Sequence, residues 1–114
     1  MVIKQMNDVP GVAMGQAAPG VTKQVLIGPG DGAPEFAMRK FTIAPGGATP
    51  WHRHDWEHEV FVVEGEGVAK SEVGETPVKF GSVVFVPPNE MHQFRNTGTK
   101  PFAMLCLVPM RGEK

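Results

Sequence analysis

Apolar and polar residues alternate along short stretches of this chain, and glycine or proline closes almost every stretch. Lys23–Ile27 reads as a strand and stops at the turn formers of Gly28–Gly32. Phe36–Ile43 alternates strictly, with Ala37, Arg39, Phe41 and Ile43 on one face and Phe36, Met38, Lys40 and Thr42 on the other. Glu59–Val63 is β-branched and aromatic and ends at Gly65. Val68–Val73 and Thr76–Phe80 flank Gly74-Glu75 as a hairpin. Val83–Val86 reads as a short buried strand stopped by Pro87 and Pro88, and Gln93–Arg95 leads into the turn Asn96–Thr99. Phe102–Val108 is apolar on both faces, which predicts burial on both sides or cover by a partner. Residues 1–20 form an N-terminal arm with room for one edge strand.

No window escapes glycine or proline long enough for a three-turn helix, so the fold class is all-β, a sandwich or barrel. A chain of 114 residues has room for one domain, here 1–114. The 11 basic and 12 acidic residues nearly balance, which argues against a nucleic-acid partner. No apolar run approaches membrane-spanning length, and the start has no signal-peptide pattern. Cys106 is the single cysteine, so no intrachain disulfide forms and a cytoplasmic location is expected.

Three of the four histidines, His52, His54 and His58, fall within Trp51–Gly65, and the fourth, His92, lies in Val86–Asn96. His52 and His54 share a strand face. His58 follows a segment long enough to change direction, and His92 must arrive from elsewhere. The pattern lacks the thiolates of a structural zinc finger and differs from the helical HExxH motif. It predicts one divalent transition metal per chain. Imidazole suits manganese, iron, cobalt, nickel, copper and zinc alike, so the ligands alone do not choose among them.

The spacing also resembles the cupin superfamily. Gly46, five residues, His52-Arg53-His54, three residues, His58, six residues and Gly65 follow its first motif (46–65), with His58 where a glutamate is usual. Gly81, five residues, Pro87, Pro88, Asn89, two residues, His92, three residues and Asn96 follow its second (81–96). Asn89 stands where the motif has glycine, and asparagine tolerates the positive φ that glycine supplies. The resemblance implies a six-stranded, jelly-roll-like β-barrel with its core at 36–108 and the metal inside near one end. It also implies a homodimer and a small-molecule substrate. The four-histidine set resembles small manganese-type monocupins, which puts manganese first and iron second.

Four neutral imidazoles leave the full dipositive charge on the ion, making it a stronger Lewis acid than a carboxylate-bound one and favouring its reduced state. An octahedral ion would keep two open positions. Three functions follow: a dioxygenase-type oxidoreductase acting on a small organic molecule, a metal-dependent isomerase or decarboxylase of a small oxyacid, and a non-enzymatic ligand- or metal-binding module. No catalytic residue is assigned beyond the metal centre. Arg39, Phe94, Met104 and Cys106 are candidate pocket-lining residues. Arg39 needs an anionic partner among its apolar neighbours, either a substrate carboxylate or a glutamate.

Overall fold

The computed structural model describes residues 1–113. Nine strands run β1 (Val12–Ala13), β2 (Val21–Ile27), β3 (Phe36–Ile43), β4 (His58–Glu64), β5 (Glu66–Ser71), β6 (Gly74–Lys79), β7 (Val83–Val86), β8 (Gln93–Arg95) and β9 (Phe102–Pro109). They form a six-stranded sheet in the order β1-β2-β3-β9-β4-β7 and a three-stranded sheet β6-β5-β8, every pairing antiparallel. The jelly-roll sandwich is therefore divided six against three. Helical structure among the described residues is limited to three short 3-10 turns. None of these is long and apolar enough to cross a membrane.

The alternation of β3 decides which side of the larger sheet is core. Ala37, Arg39, Phe41 and Ile43 are buried, and their partners across β9 are Val108, Cys106, Met104 and Phe102, also buried. His58, Val60 and Val62 continue the inner face onto β4. Val78 and Phe94 of the smaller sheet belong to the same core cluster. β9 runs between β3 and β4, which accounts for its apolar character on both faces, although Leu105 and Leu107 on its outer face are only half-buried.

Two local expectations are corrected. The hairpin turns at Glu72-Val73, not Gly74-Glu75, because Ser71 pairs with Gly74. Ser71 Oγ accepts from the Val73 amide, which gives that turn a side-chain cap the weak Gly-Glu signal did not reveal. β7 is not a buried strand. It is the outer edge of the larger sheet, and Val83 and Phe85 are 77% and 57% exposed.

The motif positions do geometric work. Gly46, Gly65 and Gly81 all have positive φ, and Asn89 is the non-glycine residue with positive φ among those described (67°). Asn96 is buried and knits the site's base together. Its Nδ2 donates to the Ile43 and Lys100 carbonyls (2.8 and 2.7 Å), and its backbone exchanges hydrogen bonds with Gly46 and Gly47.

Candidate metal centre

Backbone pairing brings the two histidine stretches face to face. His52 and His92 form an isolated antiparallel bridge, each amide donating to the other's carbonyl (3.3 and 2.9 Å). Ala48 and Arg95 form a second antiparallel bridge, flanked by hydrogen bonds from the Asn96 amide to the Gly47 carbonyl and from the Thr49 amide to the Phe94 carbonyl, so 48–52 acts as an irregular strand beside β8. The Asn89 amide donates to the His54 carbonyl (2.7 Å), tying the second motif's turn to the first motif's loop. His58 enters from the start of β4.

The rings converge. Centroid separations are 5.2 Å for His52–His54, 4.9 Å for His52–His92, 4.9 Å for His54–His92, 4.4 Å for His54–His58 and 5.2 Å for His58–His92. His52, His54 and His92 each offer a ligand atom within 4.8 Å of the other two. His58 is deeper, with its Nε2 2.6 Å from His54 Nε2. The cluster is graded in depth, from exposed His52 through half-buried His54 to buried His58 and His92.

Hydrogen-bond partners set the proton positions. His54 Nδ1 faces the Trp56 carbonyl (2.8 Å) and His92 Nδ1 faces the Glu90 carbonyl (2.8 Å). A carbonyl only accepts, so both Nδ1 atoms carry hydrogen and both Nε2 atoms present bare lone pairs. Trp56 also stacks flat on the His54 ring (4.3 Å, 6°) and fixes its plane. These tie-backs are the outer contacts that orient metal-binding imidazoles.

His58 is held by side chains instead. Its Nδ1 is 3.0 Å from Cys106 Sγ and 3.5 Å from an Arg39 nitrogen, and Arg39 donates to the same sulfur (3.1 Å). Burial pushes the Cys106 thiol up, so it stays neutral. In the metal-free chain one direction satisfies every group: Arg39 donates to Sγ, the thiol to His58 Nδ1, and His58 Nε2–H to His54 Nε2. A cation shared by the two Nε2 atoms requires the other His58 tautomer, with Nδ1–H donating to sulfur. The 2.6 Å contact is thus either one hydrogen bond or two lone pairs aimed at a cation. His52, His54 and His92 supply three nitrogen donors whose number and chemistry fit a divalent ion, with His58 a further imidazole beside them.

Burial, then the charges of His54 and Arg39, pushes His58 from its ordinary 6.5 down to about 2. Burial also lowers His52 and His54. His52, His54 and His58 are therefore held toward their neutral forms, as metal binding requires. Below 6.5 the unfolded chain takes up protons that the folded chain refuses, so stability is complete above that pH and is lost as pH falls toward the folded values. Metal-free protein is expected to show a urea midpoint that drops between about pH 7 and about pH 5, less steeply in His58→Phe. A midpoint flat across that range would contradict the buried, neutral cluster.

The rings open into a cavity of about 250 Å³, small against the roughly 300–1,000 Å³ of drug-sized pockets. Its wall includes Arg39, Phe94, Met104 and Cys106, together with Phe41 and Val60. The described wall contains no Asp or Glu. Arg39 also has a protein partner, Glu113, at 3.3 Å. Sequence reasoning missed Lys23, Met14 and Gly112 in the wall and Glu113 behind it. Nothing local in the sequence marks them, since the Glu113 pairings reach back 90 and 74 residues.

A family model described as the cupin domain matches residues 39–108. Auxin-binding protein 1 of Arabidopsis thaliana is 30% identical over 118 residues, spanning 94% of this chain and 58% of that protein. Gentisate 1,2 dioxygenase 1 of Aquipseudomonas alcaligenes is 40% identical over 60 residues, spanning 52% of this chain and 17% of that enzyme. The chain thus spans less than two thirds of the length of these curated relatives. Among solved structures, the polyketide cyclase RemF from Streptomyces resistomycificus superposes with a TM-score of 0.90 at 30% identity, covering 96% of this chain and 80% of that one.

Proposed function

This chain belongs to the cupin family, and from that premise we propose that it is a metal-dependent enzyme acting on a small organic molecule. His52, His54, His58 and His92 hold one divalent transition metal, manganese first and iron next. The observation that carries the reading is the convergence of the His52, His54 and His92 ligand atoms, with His58 Nε2 2.6 Å from His54 Nε2 and with His54 and His92 tied back through Nδ1 to carbonyls. When bound, the ion supplies Lewis acidity toward a substrate oxygen and, if redox-active, a path for electrons to dioxygen.

The chain's own residues bind and exclude water. Phe41, Phe94, Met104 and Val60 supply apolar contact for a flat or aliphatic substrate body. Among the described residues the wall holds no carboxylate to act as general base, which suits dioxygenase-type oxidation of a phenol or an enolisable diketone better than proton-shuttling isomerisation. The likeness to a gentisate dioxygenase supports this reading. The likeness to a polyketide cyclase over nearly the whole chain favours a second: redox-neutral ring closure of a poly-carbonyl substrate. Oxygen uptake by manganese- or iron-loaded protein with a panel of phenols and diketones separates the two. Uptake abolished in His54→Ala supports oxidation. Cyclised product formed without uptake supports the second reading, and turnover equal in wild type and His54→Ala sinks both.

The working unit is a homodimer joined through the outer face of the larger sheet. Val83, Phe61 and Leu105 form one row across β7, β4 and β9, Phe85 and Leu107 flank Glu59 in the next, and exposed Phe80 packs edge-on to Phe61. Their exposed area is on the order of several hundred Å², at the upper end for a monomer's largest apolar patch and close to the roughly 800 Å² per partner of a standard interface. Glu59 lies inside the patch and Lys40 on its β3 side, so a two-fold axis lets each meet the other in the second copy. Sedimentation is expected to give twice the 12.3 kDa chain mass, and Phe85→Lys the monomer. A wild-type monomer at micromolar concentration would contradict the dimer.

A further inference from the structure

On the inner side of His58 lies a charge cluster that the metal reading does not use. Arg39 is 6% exposed. Its guanidinium donates to Cys106 Sγ (3.1 Å) and to Glu113 Oε1 (3.3 Å), while its buried Nε has no partner among the described residues. Lys23 Nζ donates to Glu113 Oε2 (3.0 Å). Both cations line the same cavity as the histidines.

Among the described residues two cations, Arg39 and Lys23, share the one carboxylate of Glu113. The arginine is also incompletely used. A guanidinium offers five N–H donors in a planar fork suited to bidentate carboxylate binding. Here it meets one Glu113 oxygen, at a distance longer than the roughly 2.7–2.9 Å of a good charge-assisted bond. Beyond these it has only a 3.5 Å approach to His58 Nδ1 and the Phe41 ring at 5.0 Å, so a carboxylate offering both oxygens would bond it better than Glu113 does.

Glu113 is not held in either sheet. It follows the 3-10 turn Met110–Gly112. The turn is fastened by Arg111 to Asp55 (2.6 Å) and by close approach of Gly112 to the Trp56 indole, where an added Cβ would come within 2.7 Å of Nε1. Trp56 in turn stacks on His54.

We propose that Arg39 and Lys23 form a carboxylate subsite in this cavity, with Glu113 as the internal occupant that a substrate carboxylate displaces. The substrate class is then a small organic acid, its carboxylate on Arg39 and Lys23 and its body against Phe41 and Met104, extending toward the histidines. This rests on reading the cavity as a substrate site. It adds the anionic end to that substrate. Displacing Glu113 loosens the Met110–Gly112 turn and alters the surroundings of Trp56.

The test uses full-length protein freed of metal with EDTA, so that no carboxylate binds through an ion. In a Trp51→Phe background Trp56 is the remaining tryptophan. Benzoate and its neutral isostere benzamide are titrated against Trp56 fluorescence, with calorimetry as a second readout. Benzoate is expected to bind and shift the emission, with benzamide at least about tenfold weaker, the scale of one charge-assisted hydrogen bond. Glu113→Gln is expected to tighten benzoate about tenfold by removing the competitor, and Arg39→Met to weaken it by a similar factor. If Arg39→Met does not fold, Lys23→Met supplies the same comparison with several-fold weakening expected.

Equal binding of benzoate and benzamide overturns the proposal, as does no binding of either ligand or benzoate affinity indifferent to Glu113→Gln. A purely structural ion pair gives that last result, with Glu113→Gln lowering only the melting temperature. Benzoate discrimination in protein that turns over nothing when metal-loaded leaves the subsite standing and removes the enzymatic reading alone.

Discussion

Alanine in place of His92 is expected to leave a folded protein that no longer retains metal. Only the ring is lost. The His52–His92 backbone bridge and the Asn89 turn do not depend on it. The ring's single hydrogen bond is Nδ1 to the Glu90 carbonyl, so the cost to the metal-free fold stays on the order of a few kcal/mol, mainly from the small cavity left behind. The cost to binding is much larger. Loss of an outer-shell partner already weakens metal binding by about 10–100-fold, so loss of a ligand should exceed about 100-fold. His92 is buried and contacts both the exposed and deep ends of the cluster, at 4.9 Å from His52 and 5.2 Å from His58. No carboxylate in the described cavity wall stands ready to replace it. Competitive titration with a chromophoric chelator measures the change. Near-wild-type affinity in His92→Ala, with far-UV circular dichroism unchanged, would remove His92 from the site.

Gly65→Ala is expected to be the most damaging single-methyl change. Gly65 ends β4 with φ of 73°, and a Cβ there would lie 2.1 Å from the Pro101 carbonyl oxygen and 3.1 Å from its carbon. The left-handed conformation costs alanine roughly 1–2 kcal/mol. Forcing the backbones apart adds about 1–3 kcal/mol. Against a typical total of about 5–15 kcal/mol, a loss of around 3 kcal/mol is severe. Gly46→Ala is the control, since its φ is 81° but open space surrounds its would-be Cβ. It should lose only the conformational part, about 1–2 kcal/mol. Urea midpoints of the two variants measure the difference, and equal losses would show that the Pro101 contact is unimportant. The effect reaches the site because β4 begins at His58, so a displaced strand end shifts that buried ring.

Period-two alternation made much of this fold legible. Phe36–Ile43 and Val83–Val86 have the strand bounds expected from pattern and turn residues. Asn89 takes the positive φ expected of it. Histidine spacing pointed to rings that do come together: HxH is a local pattern, while the distant bridge to His92 is legible only through the resemblance of both motifs to the cupin pattern. What stayed illegible depends on distant pairing. The edge position of β7 follows from sheet order, which the short run Val83–Val86 does not encode. Its outward Val83 and Phe85 look like core residues in sequence. Glu113 meets Arg39 only because β3 pairs with β9 and the terminal turn folds back. The face of β9 placed Cys106 on the same side as Met104, but its contact with His58 Nδ1 requires the β4–β9 register.

Metal content per chain, by elemental analysis of protein as purified and after loading with manganese, iron or zinc followed by gel filtration, tests the central assignment most directly. The expected result is one tightly held divalent ion per chain in the wild type and almost none in His54→Ala or His92→Ala. A wild-type chain that retains no ion after loading with any of these metals, or alanine variants that retain as much as wild type, would contradict a metal centre built from His52, His54, His58 and His92.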